Sequence, residues 1–471
     1  MNYFNFTINF LTILALSWYV ILNLQWYNYK LKRVILNHHK RSWHILYFVL
    51  PLVLWINLEE KYFSIALIVY VFALFLWNKK LDKTLVYTKR VNRFFIIITF
   101  LLIFTYFTDN KYYSFASLII TLIVSNITEK LLFFKYKKDA RKKLDSIKDL
   151  KIVAITASFG KTSIKNFLYH ILKNSFNTYK TPRSVNTIAG LVLDVNKDLP
   201  KNTDIYIAEA GARVKGDIKT IANFLDPQYV IIGSVGEQHI EYFKSLENIK
   251  NTKKELLLSK RVKKAFVHKS TDLEDRNFIE VFPKELKILK SDLDGLHFSF
   301  LINKKEEDFF APILGSFNAI NLSAVILLAL EFGLSLEEIR KTLKTLPQVE
   351  HRLQKIEAGG KLIIDDSFNG NYEGMMEAFN ISKNHKGRRV VITPGLVESN
   401  DESNIKIAKK IDEVFDFVII TGELNLEILE KNINKDKVFV LKDKSKMQDI
   451  LASSTKSGDL ILFANDAPNF I

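Results

Sequence analysis

Five apolar runs crowd the start of the chain: Phe4–Leu24, Trp43–Leu58, Tyr62–Trp77, Phe94–Phe107 and Tyr112–Ile127. Each is apolar on all faces and dense in Phe, Ile and Leu, whereas a helix of a soluble bundle keeps a polar face. Only the first reaches the ~20 residues that span a bilayer. Trp43, Trp77, Tyr62, Tyr112 and Tyr113 sit at the run ends, where an aromatic belt would extend the shorter runs into the interface. Basic residues fill alternate loops. Lys30, Lys32, Arg33, Lys40 and Arg41 follow the first run, and Lys79, Lys80, Lys83, Lys89, Arg90 and Arg93 follow the third. Lys135, Lys137, Lys138, Arg141, Lys142 and Lys143 follow the fifth, while the loops at 59–61 and 109–111 are short and nearly neutral. The positive-inside rule then predicts five spans, an N-terminus outside, and everything after about Glu129 in the cytoplasm. The first run lacks a basic n-region and a small-residue cleavage site, so it is not expected to be a cleaved signal peptide.

This distribution decides how the net charge of +16 is read. Much of the excess lies in the short clusters between apolar runs, which points to a lipid bilayer as partner and not to nucleic acid. The absence of cysteine excludes disulfides and thiolate chemistry. The spans hold almost no ionisable residues, with His44 at an edge, which favours an anchor. The rival is a scaffold, transporter or sensor with a nucleotide domain as its switch. The 471 residues allow about three domains. The boundaries expected are 1–145 for the membrane region, 146–348 for a central unit and 349–471 for a smaller one.

After Lys151 the pattern turns α/β. Strand-like runs occur at Ile152–Ile155, Ile205–Ala208, Val230–Ile232, Leu362–Ile364, Val390–Ile392, Phe417–Ile420, Val438–Leu441 and Leu460–Phe463. Amphipathic stretches separate many of them, which predicts parallel sheets. Residues 313–346 read as two helices, the second capped by Ser335 with Glu337 and Glu338 in its first turn.

The stretch Thr156-Ala157-Ser158-Phe159-Gly160-Lys161-Thr162-Ser163 joins the first of these strands to a helical pattern from Ile164 to Leu172. Strand, tight loop and helix is the setting of a phosphate-binding loop. Backbone N–H groups and the helix dipole favour an anion there. Lys161 would neutralise β/γ-phosphates and Thr162 would offer its hydroxyl to Mg²⁺. The loop is shorter than the general pattern and carries Ala157 where a first glycine is usual, so a glycine turn beside a solvated lysine is the alternative.

Other residues gain meaning from that loop. Glu209 ends a strand, placed either to hold Mg²⁺ or to cap the next turn. His239 follows the strand Val230–Ile232 and the loop 233–236; a lone histidine is more often structural. By sequence physics alone, Lys253 on its basic helical stretch is a surface lysine. Asp365-Asp366-Ser367-Phe368-Asn369-Gly370-Asn371 ends a strand with more polar residues than a turn requires, suited to a ribose or a peptide substrate.

Together these residues resemble the Mur ligase family, the ATP-dependent amino-acid and dipeptide ligases of peptidoglycan synthesis, over roughly residues 150–465. The resemblance implies a P-loop ATPase-like central domain and a smaller Rossmann-like C-terminal domain behind the transmembrane helices. Its phosphate loop matches Ser158, Phe159, Gly160, Lys161, Thr162 and Ser163. Its Asn-containing loop matches Thr181–Thr187 and implies Asn186 at the substrate. Glu209-Ala210-Gly211-Ala212 implies Glu209 as a metal ligand, and Gln238-His239-Ile240-Glu241 implies His239 at a second metal. Its carbamylated lysine falls on Lys253 before Glu255; a carbamate, unlike an ammonium, can ligate Mg²⁺. Phe317-Asn318-Ala319-Ile320-Asn321 implies Asn318 and Asn321 near the nucleotide, with Arg352 and Asp366. Asn369 and Asn371 fall in the family's substrate signature.

The resemblance thus implies ATP, two Mg²⁺ ions, an acyl-phosphate route to an amide bond, peptidoglycan-precursor and dipeptide substrates, and other cell-wall enzymes as partners. Its nearest form adds D-alanyl-D-alanine to UDP-N-acetylmuramoyl-tripeptide. The location expected is the cytoplasmic (inner) membrane. Three departures stand out. Membrane runs occupy the place of the family's UDP-binding domain, Tyr372 replaces a usual proline, and Phe463-Ala464-Asn465-Asp466 replaces its Lys-Gly-Ser-Arg stretch.

Overall fold

The computed structural model describes residues 2–465 except 37, 39, 82, 83, 109, 238, 239, 369 and 398. The chain divides into two compact units, Met1–Lys135 and Tyr136–Ile471.

All five apolar runs of the first unit are helical. Four helices are long and apolar enough to cross a membrane: Tyr3–Trp26, Glu60–Lys79, Lys89–Phe107 and Tyr112–Ser146. The helices outrun the apolar runs because flanking polar residues stay helical. Thr88, for example, caps the third by accepting from Val91 N–H. The second run differs. It forms the shorter helix Ser42–Asn57, interrupted by a π segment at Ile45–Val49 just before Pro51. Proline has no N–H to give to the carbonyl four residues back. That carbonyl, Tyr47 O, accepts from Tyr70 Oη at 2.8 Å instead. Among the described residues of this unit, four of the apolar helices have spanning length and the one at Ser42–Asn57 does not.

The first unit's interior pairs polar groups. Trp55 Nε1 donates to Asn9 Oδ1 at 2.7 Å, Tyr19 Oη and His44 Nδ1 lie 2.8 Å apart, and His38 Nε2 lies 3.0 Å from Asn23 Oδ1.

The second unit contains two parallel sheets, as the strand spacing predicts. The central one runs β2 (Thr178–Lys180), β3 (Ile205–Glu209), β1 (Lys151–Thr156), β4 (Tyr229–Ile232), β5 (Lys264–His268), β6 (Ile279–Phe282), all parallel. A three-stranded antiparallel sheet follows, β7 (Lys287–Asp292), β8 (Gly295–Ile302) and β9 (Lys305–Ala311), which the sequence reading missed. The last sheet is ordered β10 (Gln354–Ala358), β11 (Lys361–Asp366), β15 (Leu460–Ala464), β12 (Arg389–Thr393), β13 (Phe417–Thr421), β14 (Val438–Leu441), with only β10 antiparallel. Its core, around Leu353, Ile364 and Val391, is distinct from the central core around Ile155, Phe167 and Leu322. Ser335 caps Leu336–Leu343 through a capping box with Glu338.

The helix Tyr112–Ser146 ends within the second unit. There Arg141 donates to Asp145 and to the carbonyls of Phe224 and Leu225, and Lys143 donates to Asn196 O at 3.3 Å.

Candidate active site

The order of β3, β1 and β4 brings the carboxyl ends of three neighbouring parallel strands together, the place where open α/β sheets bind ligands. The β1 strand stops at Thr156, and the chain turns through 157–160 into the helix Lys161–Leu172. Gly160 makes the turn at φ +83°, and a Cβ there would stand 2.4 Å from Asn321 Oδ1. Both the conformation and the close approach require glycine. Ala157 is accommodated because its neighbour is Gly233, where a Cβ would come within 3.0 Å of the Ala157 methyl. Ser158 Oγ donates to Gly236 O at 2.9 Å and accepts from Gly236 N–H, and the Phe159 ring lies against Gly236. Ser163 is buried in the first helical turn.

Lys161 Nζ folds back over this loop and donates to Ala157 O at 2.7 Å and Ser158 O at 3.1 Å. Burial pulls its pKa down to about 8; Glu209 opposes that shift and Arg352 adds to it. Thr162 Oγ1 donates to Glu209 Oε2 at 3.2 Å. Glu209 is fully buried at the end of β3, so its role is not that of a surface cap. Its Oε1 has the Lys165 ammonium at 2.7 Å as a charge partner, though not in hydrogen-bonding alignment.

Lys253 corrects the surface reading: it is 3 % exposed on the helix Leu246–Lys254. Burial, reinforced by the charge of Lys161, holds its pKa well below the ordinary lysine value. Glu255 fixes that helix in place, because its carboxylate accepts from Gly216 N–H at 2.9 Å and Lys219 N–H at 3.0 Å.

Asn318 and Asn321 start the helix Asn318–Glu331; Asn321 Nδ2 donates to Asn318 Oδ1 at 2.9 Å, which leaves Asn321 Oδ1 over Gly160. Just before β10, Arg352 donates to Phe368 O at 2.5 Å and stacks on the Phe368 ring. Burial lowers its pKa, against the carboxylates of Asp366 and Glu209. Burial also pushes Asp366 up to about 7, with Asp365 adding to the shift. Asn186 packs against Gly211, whose N–H donates to Asn186 O at 2.8 Å and whose missing Cβ makes room for the amide side chain. Asn371 spends its Oδ1 on capping Tyr372–Lys383 through Gly374 N–H. His239 and Asn369 lie outside the described residues.

Three participants escaped the sequence reading. Lys165 is the first; its spacing, one helical turn beyond Lys161, was the available signal. His351 is the second, with Nδ1 2.7 Å from Asp365 Oδ2. Asn465 is the third: it accepts from Gly370 N–H at 2.9 Å and donates to Gly395 O at 2.8 Å, tying two loops at the carboxyl ends of the second sheet. Long-range pairings of this kind leave no periodic trace.

The donor set suits a nucleotide phosphate and a divalent cation. The glycine cradle, the helix start and Lys161 favour an anion, while Thr162 and Glu209 offer oxygen to a hard cation. Among the described residues no cluster of three or more His, Asp or Glu stands ready for a metal.

Residues 155–329 match the Mur ligase middle domain. Over that stretch the chain carries the Mur ligase middle domain, and as a whole it is similar to MurF-named ligases in sequence and in fold. The UDP-N-acetylmuramoyl-tripeptide–D-alanyl-D-alanine ligase of Bacillus subtilis (strain 168) is 27% identical over 337 residues, covering 66% of this chain and 72% of that enzyme. The enzyme of the same name from Borreliella burgdorferi is 27% identical over 333 residues, 66% of this chain and 71% of its own. Among solved structures, the MurF ligase from Thermotoga maritima in complex with ADP superposes with a TM-score of 0.60 at 23% identity, over 71% of this chain and 80% of its own, a likeness of fold.

Proposed function

We propose that this chain is an ATP-dependent ligase that joins D-alanyl-D-alanine to UDP-N-acetylmuramoyl-tripeptide. One observation carries the reading: Lys161, Lys165 and Arg352 converge on the buried Glu209 at the phosphate loop, with the buried Lys253 beside Lys161. Such a site is short of negative charge and completed by a polyphosphate.

The tripeptide carboxylate attacks the γ-phosphorus of ATP; the bond to ADP breaks and an acyl phosphate forms. The dipeptide amine then attacks the acyl carbon, expels phosphate, loses a proton and leaves an amide. Lys161 follows the charge on the transferred phosphoryl group, and Gly160 lets the backbone approach it. Thr162 and Glu209 would hold Mg²⁺, which supplies charge neutralisation at the phosphates. Lys253, whose pKa burial holds well below the ordinary lysine value, would be a nucleophile towards CO₂; its nitrogen bonds the carbon, a proton leaves, and the resulting carbamate is a further anionic oxygen donor. Asn318, Asn321 and Asp366 line the nucleotide side, and Asn186 the acceptor side.

The helices of spanning length favour a second reading of the acceptor, as a lipid-linked carboxylate presented at the cytoplasmic membrane. A docked Arg141 and Lys143 leave only Lys135, Lys137, Lys138 and Lys142 of the basic segment for a diphosphate. The deciding assay gives purified protein ATP, Mg²⁺ and D-alanyl-D-alanine, with soluble UDP-linked tripeptide and its lipid-linked form in parallel. Product from the soluble acceptor is expected; product from the lipid form alone moves the assignment to the second reading. A folded, ADP-binding protein that ligates neither acceptor overturns both.

A further inference from the structure

Lys165 is the most completely enclosed cation of the second unit, at 1 % exposure, and its partner Glu209 is equally enclosed. Its ammonium joins three elements. It rides on the helix of the phosphate loop, lies 2.7 Å from Glu209 Oε1 at the end of β3, and donates to Arg183 O in the loop that carries Asn186. The bond to a backbone carbonyl pins the ammonium, so it is not a side chain free to swing away. The two oxygens of Glu209 are thereby divided. Oε1 faces Lys165, and Oε2 faces the Thr162 hydroxyl at 3.2 Å.

A buried Lys–Glu pair is a poor way to gain stability, since apolar side chains of similar volume serve as well or better. Its value has to be sought at the site. We infer that Lys165 is a positioning residue for the metal ligand: it engages Oε1, presents only Oε2 to a divalent cation, and makes that cation enter with the nucleotide and not ahead of it. The inference rests on the ligase reading, in which Glu209 is a metal ligand. With Lys161 and Arg352 nearby, a carboxylate already matched by an ammonium offers a dication no net negative charge. The phosphates of the incoming nucleotide supply that charge. Lys165 so selects the metal–nucleotide complex over the bare ion.

The test uses the full chain in detergent micelles and Mn²⁺ as probe, with free Mn²⁺ read by electron paramagnetic resonance. Wild type is expected to bind Mn²⁺ weakly alone and tightly with ADP. Lys165→Met is expected to bind Mn²⁺ without nucleotide about tenfold more tightly than wild type, because an unmatched carboxylate is exposed to the ion. Lys165→Arg keeps the charge and should behave as wild type. The gain should vanish in Lys165→Met/Glu209→Gln. An Mn²⁺ affinity of Lys165→Met within about twofold of wild type, or a gain that survives Glu209→Gln, overturns the inference. Should Lys165→Met fail to fold, Lys165→Gln, which can still hydrogen-bond Arg183 O, carries the same expectation. A folded wild type that binds neither ADP nor Mn²⁺ with ADP defeats the ligase reading itself, a separate outcome from Lys165→Met showing no gain.

Discussion

The two units bury polar side chains in opposite ways. In Met1–Lys135 buried polar side chains pair with one another or with the backbone: Trp55 with Asn9, Tyr70 with Tyr47 O, His38 with Asn23. In Tyr136–Ile471 they are charged and mismatched, with several cations around Glu209 and two lysines pulled below their ordinary pKa. Neutral pairs inside an apolar bundle satisfy donors and fix packing at little electrostatic cost. Uncompensated charge is expensive and persists where a ligand completes it. By this contrast the charged cluster that a ligand would complete lies in the second unit, while the first holds the helices long and apolar enough to span a membrane.

The strongest challenge to that contrast is Lys161→Ala. It should lower ligation by roughly 10²–10³-fold or more while the protein still melts cooperatively, since the lysine stabilises transferred charge and not the fold. Native-rate ADP release from this variant would end the assignment. Lys253→Ala should lose about 10²-fold in turnover. Added short carboxylates that fill the vacated ligand position should restore part of it; rescue by chloride to the same extent would argue against a carboxylate-like role.

A smaller effect lies in pH. Burial brings the Lys161 pKa down to about 8, against an ordinary 10.5. An anion binds the ammonium form, so ADP affinity measured without Mg²⁺ should fall about tenfold between roughly pH 7 and pH 9. Lys161→Arg should flatten that slope. The sign for folding is the reverse. A lysine whose folded pKa is depressed penalises the fold at low pH, and the penalty is relieved as pH rises from about 8 towards 10.5.

The smallest effect belongs to the first unit. Trp55→Phe removes the bond to Asn9 Oδ1 and should cost about 0.6 kcal/mol in detergent unfolding titrations, with no change in ligation by the second unit. A loss of turnover there would dissolve the contrast between the two units.

Much of this was legible in the chain. The apolar runs, the eight strand-like segments and the phosphate loop are local patterns, and burial on both faces of a parallel strand writes itself as a continuous apolar run. Gly160 could be placed because a left-handed residue before a helix selects glycine. The antiparallel strands β7–β9 were missed: their edge strand, Lys287–Asp292, is mostly polar and exposed. The second apolar run has the composition of a span yet forms a short, π-interrupted helix, a consequence of Pro51 and of where Tyr70 finds its acceptor.

Tertiary structure alone decided which charges meet. Lys253 lies in a sequence as basic as any surface helix, Thr252-Lys253-Lys254, and is buried because its helix is held by Glu255 on the start of Asp217–Leu225. Lys165 reads as an ordinary helical lysine, and becomes the partner of Glu209 because β1 and β3 are neighbours and the helix after β1 crosses above them. The sequence determined the elements and the loop chemistry, since those depend on neighbours along the chain. The electrostatics of the site depend on groups tens to hundreds of residues apart, such as Lys161, Glu209 and Arg352, and on the water that packing excludes from between them.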